Sequence, residues 1–332
     1  MRPTTRLAIA TALLAGPALA HAQNDDIDVC FAYQDLETEF WVAGHSAMTQ
    51  SLEEQGVNVI EVNANEDANR QLEQIRDCIT QEVDGIIIIP QDGESVITMI
   101  GEANEAGIPI AVFNRPPNPD NPHDAIVVVA DNVSIAEAAV EHLAEQAKAL
   151  ELDRPVQPLI MVGALADTNA IGRREGFLNV IEANGDLFAE PIEVPTEWDA
   201  SVALANLESA LQANPDVDLI FTSSDFLFPQ IRAALLQRGR WAPKGEEGHM
   251  ILGGLDGDVT ACELIREGYV DATGVQDLFF EADSTVEALM TAIGDGETRP
   301  NQQIDDPGFA LTQDNLEERH QDMWGCVLLD QK

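Results

Sequence analysis

Lysine is almost missing from this chain: Lys148, Lys244 and Lys332 are its only lysines, and 17 basic residues face 59 acidic ones for a net charge of −42. Nothing of that kind neutralises a run of phosphates, which excludes a nucleic-acid partner. An anionic membrane surface would repel it as well. Such acidity reads as a solvated surface of the sort halophiles use. Several motifs are also absent. There is no G-x-G-x-x-G, no G-x-x-x-x-G-K-[ST] and no G-x-S-x-G, so the usual dinucleotide, phosphate and hydrolase loops are missing. The histidines show no H-x-x-x-H spacing and the cysteines no C-x-x-C, so neither a metal nor a cofactor is expected. Asp120, Asn121, His123 and Asp124 sit in a proline-rich loop that reads as a solvated turn rather than a ligand set. Beyond the first residues no apolar run reaches the roughly 20 residues that span a bilayer.

What is present begins with MRPTTRLAIATALLAGPALAHA, residues 1–22. Arg2 and Arg6 precede a short apolar stretch that ends in small-x-small cleavage sites, the layout of a secretory signal peptide. No cysteine follows it directly, so the expected mature chain is exported and soluble, without a lipid anchor. Export makes disulfides the natural reading of Cys30, Cys78, Cys262 and Cys326. Four cysteines allow three pairings. Their places along the chain favour Cys30 with Cys78 and Cys262 with Cys326, against the alternative of buried free thiols.

Apolar strand-like runs alternate with helical stretches almost throughout. Strands are expected at 27–33, 57–62, 85–89, 108–113 and 125–129, with helices between them at 40–54, 68–81 and 96–106. The run Gly85-Ile86-Ile87-Ile88-Ile89 suits a strand buried on both faces of a parallel sheet. The alternation restarts with strands at 159–162, 191–194, 219–222, 250–253 and 270–274, separated by helices at 135–150, 171–183, 200–213, 228–238 and 259–267. A helix at 282–294 and a strand at 304–312 close the chain. Repetition of this order predicts an α/β fold of two Rossmann-like lobes with parallel sheets and a cleft between them. The expected division is a signal peptide at 1–22, an N-terminal lobe of 24–130 plus 277–301, and a C-terminal lobe of 131–276 plus 302–332.

In open α/β sheets ligands bind beyond the carboxyl ends of the strands. Those positions hold Phe40 and Trp41, Gln91 and Asp92, then Asn114 and Arg115 in the first half. In the second they hold Asn169 and Arg173, Trp198 and Asp199, Ser224 and Asp225, Asp256 and Gln276. Only 5% of the chain is aromatic, so three aromatic residues at strand exits carry weight. Aromatic faces pack on the C–H face of a sugar ring, while carboxylates, amides and guanidinium groups satisfy hydroxyls that both donate and accept. Helix core is the plain alternative for Phe40 and Trp41, and a surface helix position the alternative for Arg173.

Phe40-Trp41, Phe113-Asn114-Arg115, Val129-Ala130-Asp131-Asn132, Gly253-Gly254-Leu255-Asp256-Gly257 and Thr273-Gly274-Val275-Gln276 together resemble the ribose-binding-protein-like type I periplasmic solute-binding proteins. The resemblance runs through nearly the whole mature chain. It implies two lobes joined by three hinge crossings, closing on a monosaccharide or polyol in the periplasm and serving the permease of an ABC transporter as a monomer. It implies stacking by Phe40, Trp41 and Trp198, and hydroxyl contacts by Arg115, Asp256 and Gln276. Asn114 stands where ribose binders usually have Asp, and Ser224 where they usually have Asn. The family's usual arginine in the first loop of the second lobe aligns nearest Ile171, flanked by Asn169 and Arg173. A hexose, deoxy sugar, inositol or linear polyol therefore stays open beside ribose. A periplasmic sensor on the same fold is the second reading, and a secreted glycosidase using Asp225 and Asp256 a third. A related transcription regulator would need a helix-turn-helix where the signal peptide sits.

Overall fold

The computed structural model describes residues 27–331, and the expected signal peptide lies outside the described residues. The first half builds β1 (Asp28–Tyr33), α1 (Glu39–Gln55), β2 (Asn58–Asn63), α2 (Ala68–Thr80), β3 (Gly85–Ile88), α3 (Ser95–Ala106), β4 (Ile110–Phe113) and β5 (Ile126–Ala130). The second builds α4 (Asn132–Lys148), β6 (Gln157–Val162), α5 (Thr168–Ala183), β7 (Ile192–Pro195), α6 (Ala200–Ala213), β8 (Val217–Thr222), α7 (Phe228–Leu236), β9 (Ile251–Asp256), α8 (Val259–Glu267) and β10 (Ala272–Val275). The chain ends with α9 (Leu278–Asp295), β11 (Gln302–Asp306), β12 (Phe309–Thr312), α10 (Leu316–Arg319) and α11 (Trp324–Leu329).

These strands form two six-stranded sheets, ordered β11-β5-β4-β3-β1-β2 and β12-β10-β9-β8-β6-β7. All pairings are parallel except β10 with β12. Each sheet is sandwiched between helices. In β3 the side chains alternate: Ile86 and Ile88 enter the packing shared with α2 and α3, while Ile87 and the following Ile89 enter that shared with α1 and α9. Each isoleucine buried in this way stabilises the fold by about 1.5–3 kcal/mol. In the second lobe α4 and α5 cover one face and α6, α7 and α8 the other. Cys30 of β1 is bonded to Cys78 of α2, and Cys262 of α8 to Cys326 of α11.

One expectation fails, and the failure locates the hinge. The single strand expected over 304–312 is two strands in different sheets, broken at Pro307-Gly308. Gly308 adopts φ 47°, and a Cβ there would lie 2.3 Å from the Val275 carbonyl oxygen, so the turn requires glycine. Residues 302–306 therefore extend the N-terminal sheet rather than the C-terminal one, because β11 pairs along β5. The chain passes between lobes three times, after β5, after β10 and after β11. Asp306 ties the three passages together. Its carboxylate accepts from the backbone N–H of Asp277 (2.7 Å) and of Gly308 (2.9 Å), and its carbonyl from that of Asp131 (2.8 Å).

Part of the acidic surplus has a local use. Asp67, Asp131, Asp167, Asp199, Asp258 and Asp277 each cap a helix N-terminus, accepting backbone N–H groups of the first turn. Negative charge is favourable there because the N-terminal amides lack partners and the helix dipole is positive at that end. The caps of α5, α6 and α8 lie in the loops that leave the carboxyl ends of β6, β7 and β9, which carries their carboxylates to the cleft.

Candidate functional site

The carboxyl ends of both sheets open on a cavity of about 440 Å³ between the lobes. That falls within the range of small-molecule sites. Phe40, Trp41, Gln91, Asp92, Asn114 and Arg115 line it from one side. Asn169, Arg173, Trp198, Ser224 and Asp256 line it from the other.

Arg173 is the electrostatic centre of the second wall. It is 4% exposed, so the reading of it as a surface helix residue falls away. Its guanidinium pairs with the Asp256 carboxylate at 2.9 Å and donates to Asn132 Oδ1 (2.7 Å) and to the Ser223 carbonyl (2.6 Å). Ser224 Oγ donates to the other Asp256 oxygen. Burial nevertheless pushes the Asp256 carboxyl above its ordinary range, against the pull of Arg173 and Ser224. The Trp198 ring faces the Arg173 guanidinium, 5.8 Å from its centroid, and donates Nε1–H to Asp167 Oδ2 at 3.2 Å. A Cβ on Gly163 would come within 2.2 Å of that ring, so the indole lies directly against the backbone of the loop after β6.

Arg115 organises the opposite wall. It donates Nε–H to Asp167 Oδ2 at 3.1 Å, an ion pair across the cleft from the first lobe to the cap of α5. Its Nη1 donates to the carbonyls of Gln91 (2.6 Å) and Pro90 (3.1 Å) and to Gln34 Oε1. The guanidinium sits 5.4 Å from the Trp41 ring centroid, and Trp41 meets Phe40 edge-on at 4.9 Å. Phe40 and Trp41 also pack against the first-lobe core, so the helix-core and cleft-lining readings of this pair both hold. Asn169 donates to the Asn114 carbonyl at 3.1 Å, a second link between lobes.

Several of these residues hold unusual backbone conformations. Asn114 (φ 64°), Glu197 (φ 53°), Trp198 (φ 56°) and Asp256 (φ 133°) all lie at positive φ and all line the cavity. Side-chain-bearing residues adopt such angles at a cost, and they collect where side chains must be aimed at a ligand.

Gln276 does not reach the wall. It is 0% exposed and sits behind it, accepting from Asn114 Nδ2 (2.8 Å) and donating to Asn132 Oδ1 (3.1 Å). Its amide thus supports Asn114 and, through Asn132, Arg173. Asp225, expected beside the site as a possible acid, is fully buried and does not line the cavity. It accepts from the Gly257 N–H (2.8 Å) and from Thr273 Oγ1 (2.7 Å), which holds the loop after β9. Sequence reasoning passed over Gln34, Asp167 and Phe226, which also line the cavity. Asp167 follows β6 and caps α5, so the strand-end rule applied two positions before Asn169 would have found it.

Asp258, also on the cavity wall, has its carboxyl pushed up to about 7 by burial, with the nearby charges of Asp256 and Glu39 adding to the shift. The folded chain then holds this proton more tightly than the unfolded one. The stability it contributes is full below the ordinary value of 3.8 and is lost as the pH rises through about 7. Asp258→Asn retains a capping side chain and is expected to flatten that decline, seen as a smaller fall in Tm between about pH 5 and about pH 8 than in the wild type. An equal fall in both proteins would count against a protonated Asp258.

Two hinged α/β lobes whose strand ends face each other across a polar and aromatic cavity make a solute-binding protein. The family model described as periplasmic binding protein domain matches residues 29–298, and the chain belongs to that family. It is 28% identical over 271 residues to the D-xylose-binding periplasmic protein of Haemophilus influenzae, an alignment covering 80% of this chain and 77% of that one. It is 25% identical over 245 residues to the ribose import binding protein of Bacillus subtilis, covering 73% of each. Among solved structures, an ABC transporter solute-binding protein from Bacillus halodurans with bound myo-inositol matches with a TM-score of 0.76, at 24% identity, over 90% of this chain and 98% of that one. Proteins of this family bind and hand over substrates and are not enzymes.

Proposed function

We propose that this protein captures a monosaccharide or polyol in the interlobe cleft and delivers it to the permease of an ABC importer in the inner membrane, working as a monomer in the periplasm. One observation carries the reading: Arg115 and Arg173, each already paired with a carboxylate of the second lobe, face aromatic rings on opposite walls of one cavity. Paired groups of that kind offer hydroxyls both donors and acceptors without leaving net charge on an uncharged guest. Phe40, Trp41 and Trp198 supply the faces for its C–H surface. The bodies that close on it are residues 27–130 with 277–306, and 131–276 with 307–331, rotating about the three passages. A guest that touches both lobes stabilises the closed arrangement by its differential affinity for it. Relatives named for D-xylose, ribose and D-apiose support a sugar as guest.

The test is a thermal-shift screen of pentoses, hexoses, inositols, linear polyols and sugar acids at low and high salt. At least one uncharged member is expected to raise Tm, and Arg115→Ala and Trp198→Ala are each expected to abolish that rise while the ligand-free protein still melts cooperatively. A rise that survives unchanged in both variants would remove these residues from the site.

A further inference from the structure

The C-terminal helix α11 belongs to the second lobe by its attachments. Cys326 bonds it to α8, and the Gly325 N–H donates to the Gly257 carbonyl at 3.1 Å. Gly325 fits so closely that a Cβ there would lie 2.3 Å from the Asp258 backbone. Its neighbour Trp324 nevertheless points the other way. The side chain is 1% exposed and packs within the core of the first lobe, where it meets Phe40 edge-on with centroids 6.0 Å apart. Its indole N–H donates to the carbonyl of Asp256 at 3.0 Å. One ring thus touches the aromatic wall of the cavity on one lobe and the backbone of its carboxylate wall on the other. Asp256 is the wall residue at φ 133°, a conformation that needs an outside contact to hold it.

We infer that Trp324 is a positioning residue that sets both the spacing of the two cavity walls and the orientation of Asp256. The inference rests on the reading of this cavity as the ligand site. The two contacts separate by substitution. Trp324→Phe keeps an aromatic edge against Phe40 and removes the bond to Asp256. Trp324→Ala removes both.

The experiment uses the full mature chain carrying nitroxide labels at two exposed helix positions, Glu73→Cys on the first lobe and Ala205→Cys on the second. Pulsed electron-spin resonance reads the interlobe distance, and calorimetry reads the affinity for D-xylose, xylitol and myo-inositol. In the ligand-free protein Trp324→Ala is expected to broaden the distance distribution toward longer values, and Trp324→Phe to leave it as in the wild type. Where a probe binds, Trp324→Phe is expected to weaken it about five-fold as Asp256 loses the indole that orients it, and to lower the ligand-free Tm by no more than one buried hydrogen bond is worth, because the Asp256 carbonyl still accepts from the Gln276 N–H at 3.3 Å. A role confined to core packing would lower Tm and leave the affinity of the phenylalanine variant alone. An unaltered distance distribution in Trp324→Ala, or unaltered affinity in Trp324→Phe, overturns the inference. Should Trp324→Ala fail to fold, the affinity of the phenylalanine variant decides. Should none of the probes bind the wild type, the sugar reading is what suffers, and the distance measurement on the ligand-free protein decides this inference alone.

Discussion

Arg173→Ala is expected to destabilise the protein by about 3–5 kcal/mol, because it strands the buried Asp256 carboxylate without its partner. The loss reaches further than one pair. Asn132 Oδ1 keeps only its bond from Gln276, the Ser223 carbonyl loses the bond from Arg173, and Trp198 loses the cation facing its ring. Ligand-induced stabilisation is expected to vanish with it. Urea denaturation followed by circular dichroism measures the first effect, and a thermal shift with any ligand found by screening measures the second. Arg173→Lys should restore only part of either, since an ammonium cannot serve Asp256, Asn132 and Ser223 in the fixed geometry of a guanidinium. A lysine variant equal to the wild type would mean that charge alone, and not the planar fork, is what this position supplies.

Loss of either disulfide alone is expected to have an effect of similar size. The Cys30–Cys78 bridge joins residues 48 apart in sequence and Cys262–Cys326 residues 64 apart. In the chain-entropy account, closing loops of such lengths disfavours the unfolded chain by about 4 kcal/mol each. Paired Cys→Ser variants should lower the urea midpoint separately and roughly additively, since the bridges lie in different lobes. Their effects on ligand binding should differ. The first bridge fastens β1 to α2, on the sheet face away from the cavity-lining α1, whereas the second anchors the helix that carries Trp324. Midpoints unmoved by removal of either bridge would contradict the entropic argument.

The fold was readable because its strands are short apolar runs separated by turn residues, and β3, with four successive buried residues, is the plainest of them. Parallel pairing follows from helices between strands, and two lobes from the restart after β5. The fate of residues 302–312 was not readable. Ile304 and Phe309 have the same strand-like character, and only partners distant in sequence, β5 for one and β10 for the other, decide that they enter different sheets. Pro307 and Gly308 mark a turn but do not say that it crosses between lobes. The terminal helices α10 and α11 are four and six residues long, below what a periodic pattern can reveal, so Trp324 gave no sign of its place. In the site, position at a strand end picked out Arg115, Trp198 and Asp256, which line one cavity. It could not separate Gln276, one layer behind, from the residues it supports, because depth behind a wall depends on packing between elements rather than on order along the chain.

The Asp306 carboxylate restricts how this molecule can move. With passages from β5, β10 and β11 fastened to one residue by short hydrogen bonds, sideways sliding of one half over the other would have to break those from Asp131 and Gly308 together. Rotation about an axis near that residue leaves all of them intact. The geometry therefore favours turning about this pivot over sliding, so that closure brings the two walls together rather than shearing one past the other.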